Sequence, residues 1–291
     1  MNEAPRIVLT GATSGLGRLA ACELARRGAE LILTARSADK AEQTRLGILA
    51  AAPDAQIDFF FGDFTRLDDV RRVGEQITAR YRRVDVLINN AGLHAFAARV
   101  TPDGYPEMVA VNYLAPFVLT NALLPILRES PCARVVNVAS EASRHHGTFQ
   151  LPADLTDITP FTARESSRRY GKTKLMNVLF TKELARRTRD TPLTSNCLDP
   201  GFNVTGLGRE LRFAGPLRRI LELSGIGDPR RGADLIVALA TDARYATTTG
   251  RYITLKGHRE IAAAAPGEDP HVQAALWAAT EHLLERGRRS G

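Results

Sequence analysis

Apolar positions in this chain fall into short, nearly unbroken runs separated by longer stretches of helical period. Arg6 to Leu9, Glu30 to Ala35, Ile57 to Phe61, Val84 to Ile88, Arg134 to Ala139 and Leu193 to Leu198 read as strands buried on both faces. Between them, helical patterns run from Leu16 to Arg27, from about Ser37 to Ala51 where Pro53 ends it, and from Leu67 to Arg80. A long helix then carries Asn112, with Pro116 as a local kink, and another runs through Tyr170 to about Arg187. A helix from Pro229 to Ala240, a last strand at Gly250 to Thr254 and a terminal helix around Val272 to Glu285, with Trp277, complete the series. Strand and helix alternate throughout, which predicts an α/β fold: a doubly wound parallel sheet with helices on both faces. With 291 residues and 44% hydrophobic content, the chain is expected to form one domain over residues 1–291; repeats, low-complexity segments and linkers are not evident.

Composition narrows the function. No run of 18 or more apolar residues occurs, and Met1 to Pro5 is too short and polar for a signal peptide, so a soluble, cytoplasmic protein without a membrane role is expected. Cys22, Cys132 and Cys197 are odd in number and widely spaced, with no C-x-x-C and no histidine cluster at metal spacing. They read as buried reduced thiols, and no metal is expected. The net charge of +7 is spread along the chain, and no basic run is interleaved with stacking aromatics, so nucleic acid is not an expected partner.

Candidate chemistry begins where the first strand ends, in Thr10-Gly11-Ala12-Thr13-Ser14-Gly15-Leu16-Gly17. Strand, glycine turn and helix follow in order. Gly11 suits a tight turn, Gly15 a close approach of pyrophosphate to bare backbone, and Gly17 close packing of helix on strand, while the helix N-terminus offers unpaired N–H groups to an anion. The G-x-x-x-G-x-G spacing is one residue longer than the common dinucleotide fingerprint. With its leading threonine it resembles the cofactor turn of the short-chain dehydrogenase/reductase family, whose members have the Rossmann fold.

Other family marks follow in order. At the end of the second strand, ~20 residues beyond the glycines, an NAD enzyme keeps an acid for the ribose hydroxyl. Here Ala35-Arg36 stands there, so an acid is absent and a guanidinium is present, as a 2′-phosphate requires. NADP(H) is the expected cofactor, and a surface arginine is the alternative. The resemblance implies that Asp63 and Phe64 lie beside the adenine, although Asp63 also reads as a polar cap of the next helix. Asn89-Asn90-Ala91-Gly92 matches the tetrapeptide that steadies the central sheet and lines the cofactor groove. Asn112, polar among apolar neighbours, is by resemblance a catalytic-site residue holding a water; otherwise it bends its helix through a backbone hydrogen bond.

Ser140 stands at the carboxyl end of the fifth strand, the edge at which ligands bind. Tyr170 and Lys174 sit four apart on one helical face, so an ammonium can favour the phenolate. Bringing a tyrosine from a pKa of about 10 to about 7 needs roughly 4 kcal/mol, which Lys174 alone does not obviously supply; the positive nicotinamide ring adds to it. The resemblance implies Tyr170 as acid/base, Lys174 as its activator and ribose ligand, and Ser140 as the hydrogen bond to the carbonyl oxygen. Pro200-Gly201-Phe202-Asn203-Val204-Thr205 matches the turn against the nicotinamide carboxamide, with Pro200, Gly201, Asn203 and Thr205 as its contacts.

Ser140 and Tyr170 are 30 residues apart, a long interval for the family, and His145-His146-Gly147 with Tyr-x-x-x-Lys-Leu-x-Asn-x-Leu-Phe resembles the retinol dehydrogenase-like branch. That branch commonly has histidine before the proline, where this chain has Asp199. Residues 141–165, with Phe149, Leu151 and Phe161, form the expected substrate loop. Residues 203–227, mixing leucines with Arg209, Arg212, Arg218 and Arg219, read as a substrate lid, with oligomer contact and membrane-surface anchor as alternatives. A small lipophilic carbonyl or alcohol is the expected substrate. Leu175, Met176, Val178, Leu179, Phe180 and Leu184 cover more than one face of the Tyr170 helix, which predicts a homodimer. Two other functions stay open: an epimerase or dehydratase, with His145 or His146 as the added acid or base, and a non-catalytic NADP-binding regulator.

Overall fold

A computed structural model of the chain describes residues 4–201 and 228–290. Eight strands form one sheet: β1 (Arg6–Leu9), β2 (Glu30–Ala35), β3 (Ile57–Phe61), β4 (Val86–Asn89), β5 (Arg134–Val138), β6 (Thr194–Asp199), β7 (Tyr252–Thr254) and β8 (Arg259–Glu260). Their order is β3-β2-β1-β4-β5-β6-β7-β8. β1 to β7 pair in parallel, and only the short edge strand β8 runs antiparallel, against β7. The winding reverses between β1 and β4, so the carboxyl ends of those two strands flank the crevice where such sheets bind ligands. The expected strands and most helices appear with ends shifted by a residue or two, as hydrogen-bonded boundaries commonly are, but the terminal helix runs five residues past Glu285 to Ser290, and the edge strand β8 is not among those expected. Of the cysteines expected to be buried, Cys197 is, Cys22 is half-buried and Cys132 is exposed.

Seven helices carry labels here: α1 (Gly15–Arg26), α2 (Ala38–Ala51), α3 (Leu67–Arg80), α4 (Glu107–Leu127), α5 (Ala163–Arg187), α6 (Pro229–Thr241) and α7 (Pro270–Ser290). Alternation along β1 shows how two layers arise. Val8 enters the core with Ile32, Leu87 and Val135 beneath α3, α4, α5 and α7. Its neighbours Ile7 and Leu9 enter the opposite core with Leu31, Leu33, Ile88 and Val138 beneath α1 and α6. α4 is long and apolar enough to cross a membrane, but 78% of that window is buried inside the fold, as in the core helix of a two-layered sheet.

Within α4, residues Ala110–Leu114 form a π-helical turn. Pro116 has no N–H to offer the carbonyl of Asn112 four residues back, and the wider turn takes up the local mismatch expected there as a kink. Polar side chains then cross the buried sheet: Asn89 Nδ2 donates to Thr120 Oγ1 on α4 (3.0 Å) and to Asn137 Oδ1 on β5 (2.8 Å), while Asn137 Nδ2 donates to Thr181 Oγ1 on α5 (2.9 Å).

The second apolar face of α5, which motivated a homodimer, is covered by the chain's own terminal helix. Trp277 of α7 stacks on Phe180 at 5.7 Å, meets Phe117 edge-on at 4.8 Å and lies 4.3 Å beneath the Arg187 guanidinium. Tyr113 and Thr280 share a buried hydrogen bond of 2.7 Å on the same seam. That wide apolar arc follows from burial between sheet and α7, and the argument for a second copy falls away.

Trp277 is 4% exposed, so Trp277→Ala should cost about 3–5 kcal/mol in urea unfolding. Trp277→Phe should cost far less, because it keeps a ring and removes an indole N–H that is buried without a partner among the described residues. Equal losses for the two variants would show that α7 is not held by this side chain.

Candidate active site

The glycine turn is shaped by a clamp between the ends of β1 and β4. Thr10 Oγ1 donates to Ile88 O (3.3 Å) and accepts the N–H groups of Asn90 (3.0 Å) and Ala91 (2.9 Å). Asn90 Nδ2 returns donors to Thr10 O (2.8 Å) and Gly11 O (3.3 Å). Gly11 and Gly15 take φ values of +68° and +54°, which favour glycine. A Cβ on Gly17 would lie 2.3 Å from Gly11 O, so the third glycine allows α1 to touch the turn itself. Ser14 precedes α1 without capping it through its side chain, so the first N–H groups of the helix face the crevice with the positive end of its dipole. Bare backbone at helix start and turn fits a pyrophosphate, with Thr13 and Leu16 on the same rim.

Around this cradle the expected cofactor residues divide. Arg36 is exposed just past β2, and among the described residues it makes no hydrogen bond or ion pair. Asp63 lies past β3, where its Oδ1 accepts the Thr65 N–H (3.0 Å) in a local turn. The Phe64 side chain is buried in the core with Leu67, Val70 and Val73, which leaves its backbone as the part that could meet an adenine. Asn90 spends both side-chain donors on the glycine turn, which steadies the edge of the sheet there. Ala91 and Gly92 follow it, and a Cβ on Gly92 would lie 3.3 Å from Asn112 Oδ1 and 3.5 Å from Lys174 Nζ.

Asn112 Oδ1 accepts the Leu93 N–H (2.8 Å), and its Nδ2 donates to Leu93 O (2.9 Å) and Thr173 Oγ1 (3.0 Å). Both amide hydrogens are therefore spent, and no side-chain donor remains for the expected water. The residue fixes the 93 loop against α5.

Ser140, Tyr170 and Lys174 are assembled by close backbone packing. A Cβ on Gly171 would lie 2.6 Å from Ala142 O, so α5 presses against the 3-10 turn Glu141–His145 immediately after Ser140. That glycine closes the long interval between serine and tyrosine, and sequence reasoning passed over it. Ser140 Oγ accepts the Ala142 N–H (3.2 Å) as cap of the turn, leaving its hydroxyl hydrogen to be donated outward. Lys174 is buried, donates to Val138 O (2.8 Å), and lies 5.5 Å from the centre of the Tyr170 ring.

Two further residues join them. His94 stacks on Tyr170 with ring centres 4.6 Å apart and planes within 15°, and Phe96 stacks on the other side of His94 at 4.6 Å. His94 Nε2 lies 3.2 Å from Ser166 Oγ, whose own hydrogen goes to Ala163 O (2.7 Å), so the imidazole donates at Nε2. Nothing in the spacing of a lone histidine signals this stack. Asp199 Oδ1 accepts the Glu141 N–H (3.0 Å). His146, by contrast, meets Ala265 O (2.9 Å), and His145 is exposed. Phe149 and Leu151 pack partly buried against the core, and Phe161 lies 5.8 Å beneath the Arg169 guanidinium. Pro200 and Gly201 follow β6, where a Cβ on Gly232 would meet both Leu16 Cδ2 and Pro200 O at 2.9 Å. Asn203, Thr205 and the 203–227 segment lie outside the described residues.

Burial dominates the electrostatics. It pushes the Lys174 ammonium down to about 8, and pushes the Tyr170 phenol up, with the Asp199 carboxylate adding to the rise. Burial also raises Asp199 itself. The expected depression of Tyr170 by Lys174 is thus not a property of the ligand-free site, where desolvation outweighs an ammonium at this distance.

Fold, glycine cradle and the Ser140, Tyr170, Lys174 cluster together define a nicotinamide-dependent oxidoreductase. Residues 5–152 match the family model described as short chain dehydrogenase, and the chain belongs to the short-chain dehydrogenase/reductase family. Within it the chain falls on the retinol dehydrogenase-like branch. It is 33% identical over 284 residues to retinol dehydrogenase 13 of Homo sapiens, covering 96% of this chain and 84% of that protein. Retinol dehydrogenase 14 of Mus musculus is also 33% identical, over 291 residues, covering 96% and 85%. An uncharacterized protein from Mycobacterium Paratuberculosis superposes with a TM-score of 0.77 at 30% identity, covering 97% and 96% of the two chains. A structure from Beutenbergia cavernae, described as an NAD(P) dependent gluconate 5-dehydrogenase with bound NADP at low occupancy, superposes with a TM-score of 0.67 at 26% identity, covering 87% and 96%. The family interconverts carbonyls and alcohols with a nicotinamide cofactor.

A lysine whose folded pKa is depressed disfavours the folded state while it is protonated in both states. For Lys174 that penalty is full below about 8 and fades as pH rises toward the ordinary value of 10.5. Lys174→Met should therefore stabilise the cofactor-free protein at neutral pH by about 1–2 kcal/mol, after the loss of the bond to Val138 O, with no gain above the ordinary lysine pKa. Urea unfolding at the two pH values checks the sign.

Proposed function

We propose that the protein is an NADP(H)-dependent oxidoreductase that interconverts a carbonyl and an alcohol on a small lipophilic substrate, with Tyr170 as acid/base. The observation that carries this reading is the convergence of Tyr170, Lys174 and Ser140 at the carboxyl edge of the sheet beside a bare glycine cradle. A bound nicotinamide supplies or accepts the hydride. Ser140 directs its spare hydroxyl hydrogen at the carbonyl oxygen, Tyr170 gives that oxygen its proton in reduction, and Lys174 holds the ribose and steadies negative charge on the phenol. Asn112 and Gly92 keep the Lys174 ammonium and the 93 loop in register. Arg36, free at the rim, is the group that would meet a 2′-phosphate. Phe96 beside the stack and the relatives named retinol dehydrogenases favour a lipophilic substrate. The regulator reading has no support in a site that keeps serine, tyrosine and lysine. The epimerase or dehydratase reading loses His146, which is turned to Ala265 O. A screen of lipophilic ketones and aldehydes, following NADPH absorbance, tests the whole reading.

Tyr170→Phe should leave less than about a tenth of the wild-type rate on any accepted substrate while NADPH still binds with nearly wild-type affinity, because one hydroxyl is lost and the cradle is untouched. Retention of a larger share would displace Tyr170 as the proton donor.

Cofactor choice should follow Arg36. Two charge-assisted bonds to a 2′-phosphate at an exposed edge should favour NADPH over NADH by roughly 30- to 150-fold in kcat/KM. The double change Ala35→Asp with Arg36→Ile should reverse that order, since it adds a ribose acceptor and repels the phosphate. Equal kcat/KM for the two cofactors in the unaltered protein, at moderate salt, would remove Arg36 from the site.

A further inference from the structure

Asp199 occupies a singular place in the site. Ala139 N–H donates to Leu198 O at 2.9 Å, so Ser140 and Asp199 emerge side by side from β5 and β6 at the carboxyl edge. The Asp199 side chain is 5% exposed, yet it does not leave the edge for solvent. One of its oxygens accepts the N–H of Glu141, which follows the serine (3.0 Å), and the carboxylate also takes the N–H of Gly201, which follows Pro200. A single carboxylate thus joins the serine turn to the nicotinamide turn. Two backbone donors and the nearby Arg144 favour its ionised form against burial.

We propose that Asp199 is a positioning residue that holds the Ser140 turn in place and sets the pH range over which Tyr170 keeps the proton it gives to a carbonyl. This deepens the carbonyl–alcohol reading above and rests on it. In reduction, hydride goes to the carbonyl carbon and the Tyr170 proton to the oxygen, leaving a phenolate. Oxidation runs the other way: a Tyr170 phenolate takes the alcohol proton as hydride leaves carbon. Asp199 holds the Glu141 N–H, and the next residue, Ala142, packs its carbonyl against Gly171 beside Tyr170. A negative charge at that place disfavours the phenolate, so it favours the proton-donating form at neutral pH and delays oxidation to higher pH. Burial of Tyr170 acts in the same sense, and an ammonium 5.5 Å from its ring centre acts against it.

Among the described residues, the charged and titratable groups facing this pair are few. Glu141 and Arg144 face Asp199 from the 3-10 turn, and Tyr252 faces it from β7. Tyr170 itself meets Lys174 on α5 and His94 in the 93 loop. Glu141 and Arg144 carry opposite charges and form an ion pair of 3.3 Å, so their fields on the site largely cancel.

Asp199→Asn keeps the size of the side chain and one oxygen for the Glu141 N–H while removing the charge. The first measurement uses no substrate: tyrosinate absorbance is titrated in the NADP-loaded protein, and subtracting the same titration of Tyr170→Phe isolates the one phenol. Asp199→Asn should move that titration down by about one pH unit. In turnover, the rising limb of alcohol oxidation should move down equally, giving about a tenfold gain in oxidation kcat/KM at neutral pH, with carbonyl reduction changed less. A merely structural role would lower both directions together and leave the pH limb in place. Should Asp199→Asn fail to fold, Arg144→Met serves with opposite sign: removing the cation facing Asp199 should move the titration up by a few tenths of a unit. An unmoved tyrosinate titration in a folded Asp199→Asn protein, or no upward move in Arg144→Met, overturns the proposal. Failure to turn over any carbonyl or alcohol would overturn the reaction reading and leave this titration to decide Asp199 alone.

Discussion

The closure of β1 against β4 by Thr10 and Asn90 is the constraint on which the rest of the site depends. One hydroxyl serves as donor to Ile88 O and acceptor for two N–H groups, and one amide returns donors to the carbonyls of Thr10 and Gly11. These bonds are modest singly, about 1 kcal/mol each in net stability, but the groups they satisfy stand at a sheet edge that must stay open to a ligand. With the turn so held, Gly17 can approach Gly11 O, and α1 points its N-terminus into the crevice. The same clamp delivers Gly92 to the far side of the crevice, where a Cβ would crowd Asn112 Oδ1 at 3.3 Å and touch the Lys174 ammonium at 3.5 Å. Phosphate cradle and lysine pocket are thereby two sides of one turn pair.

From that edge, position is transmitted through the sheet by buried polar side chains. Thr120, Asn89, Asn137 and Thr181 join α4, β4, β5 and α5 in one hydrogen-bonded row. Such groups stabilise little relative to an apolar core of equal shape, since removing them from water is costly. Their directionality is what an apolar core lacks. α4 carries Asn112 and α5 carries Tyr170 and Lys174, so the row sets the height of these two helices relative to each other. The second register mark is Gly171, whose missing side chain brings α5 onto the turn after Ser140.

The sheet, its helices and the Ser140, Tyr170, Lys174 set were legible in the sequence because each depends on local information: strand runs with period two, glycines at a turn, and an i,i+4 pair on a helix. What was not legible depends on contacts between segments far apart. Asn90 reads as steadying the sheet in its tetrapeptide, but the spacing does not say that its amide turns back to Thr10 and Gly11. Phe64 reads as part of an adenine site because it follows Asp63; successive side chains leave a chain in different directions, and this one enters the core, leaving its backbone for that role. The apolar arc of α5 was read correctly as burial on two sides and assigned to the wrong cover, because periodicity reports that a face is buried and carries no information on which helix covers it. His94 stacks on Tyr170 although the two stand in different segments, and no spacing rule connects them.

The ligand-free site holds its charges in an unfavourable arrangement, and that bears on how it works. Desolvation lowers the proton affinity of Lys174 and raises that of Tyr170, so burial drives both toward their neutral forms, with Asp199 adding to the effect at the phenol. Below a pH of about 8 Lys174 keeps its proton at the cost of desolvation, and its ammonium faces a phenol that burial holds neutral. Hydroxyl groups of a ribose near the Lys174 ammonium would replace part of the water that burial removes, and a positive ring near the phenol would oppose Asp199. On the proposed reading, the protonation states needed for chemistry therefore belong to the complex and not to the free protein. A site built this way leaves Tyr170 inert until the crevice between β1 and β4 is filled, which makes cofactor binding the natural first step and couples the glycine cradle to a phenol on the opposite side of the switch point.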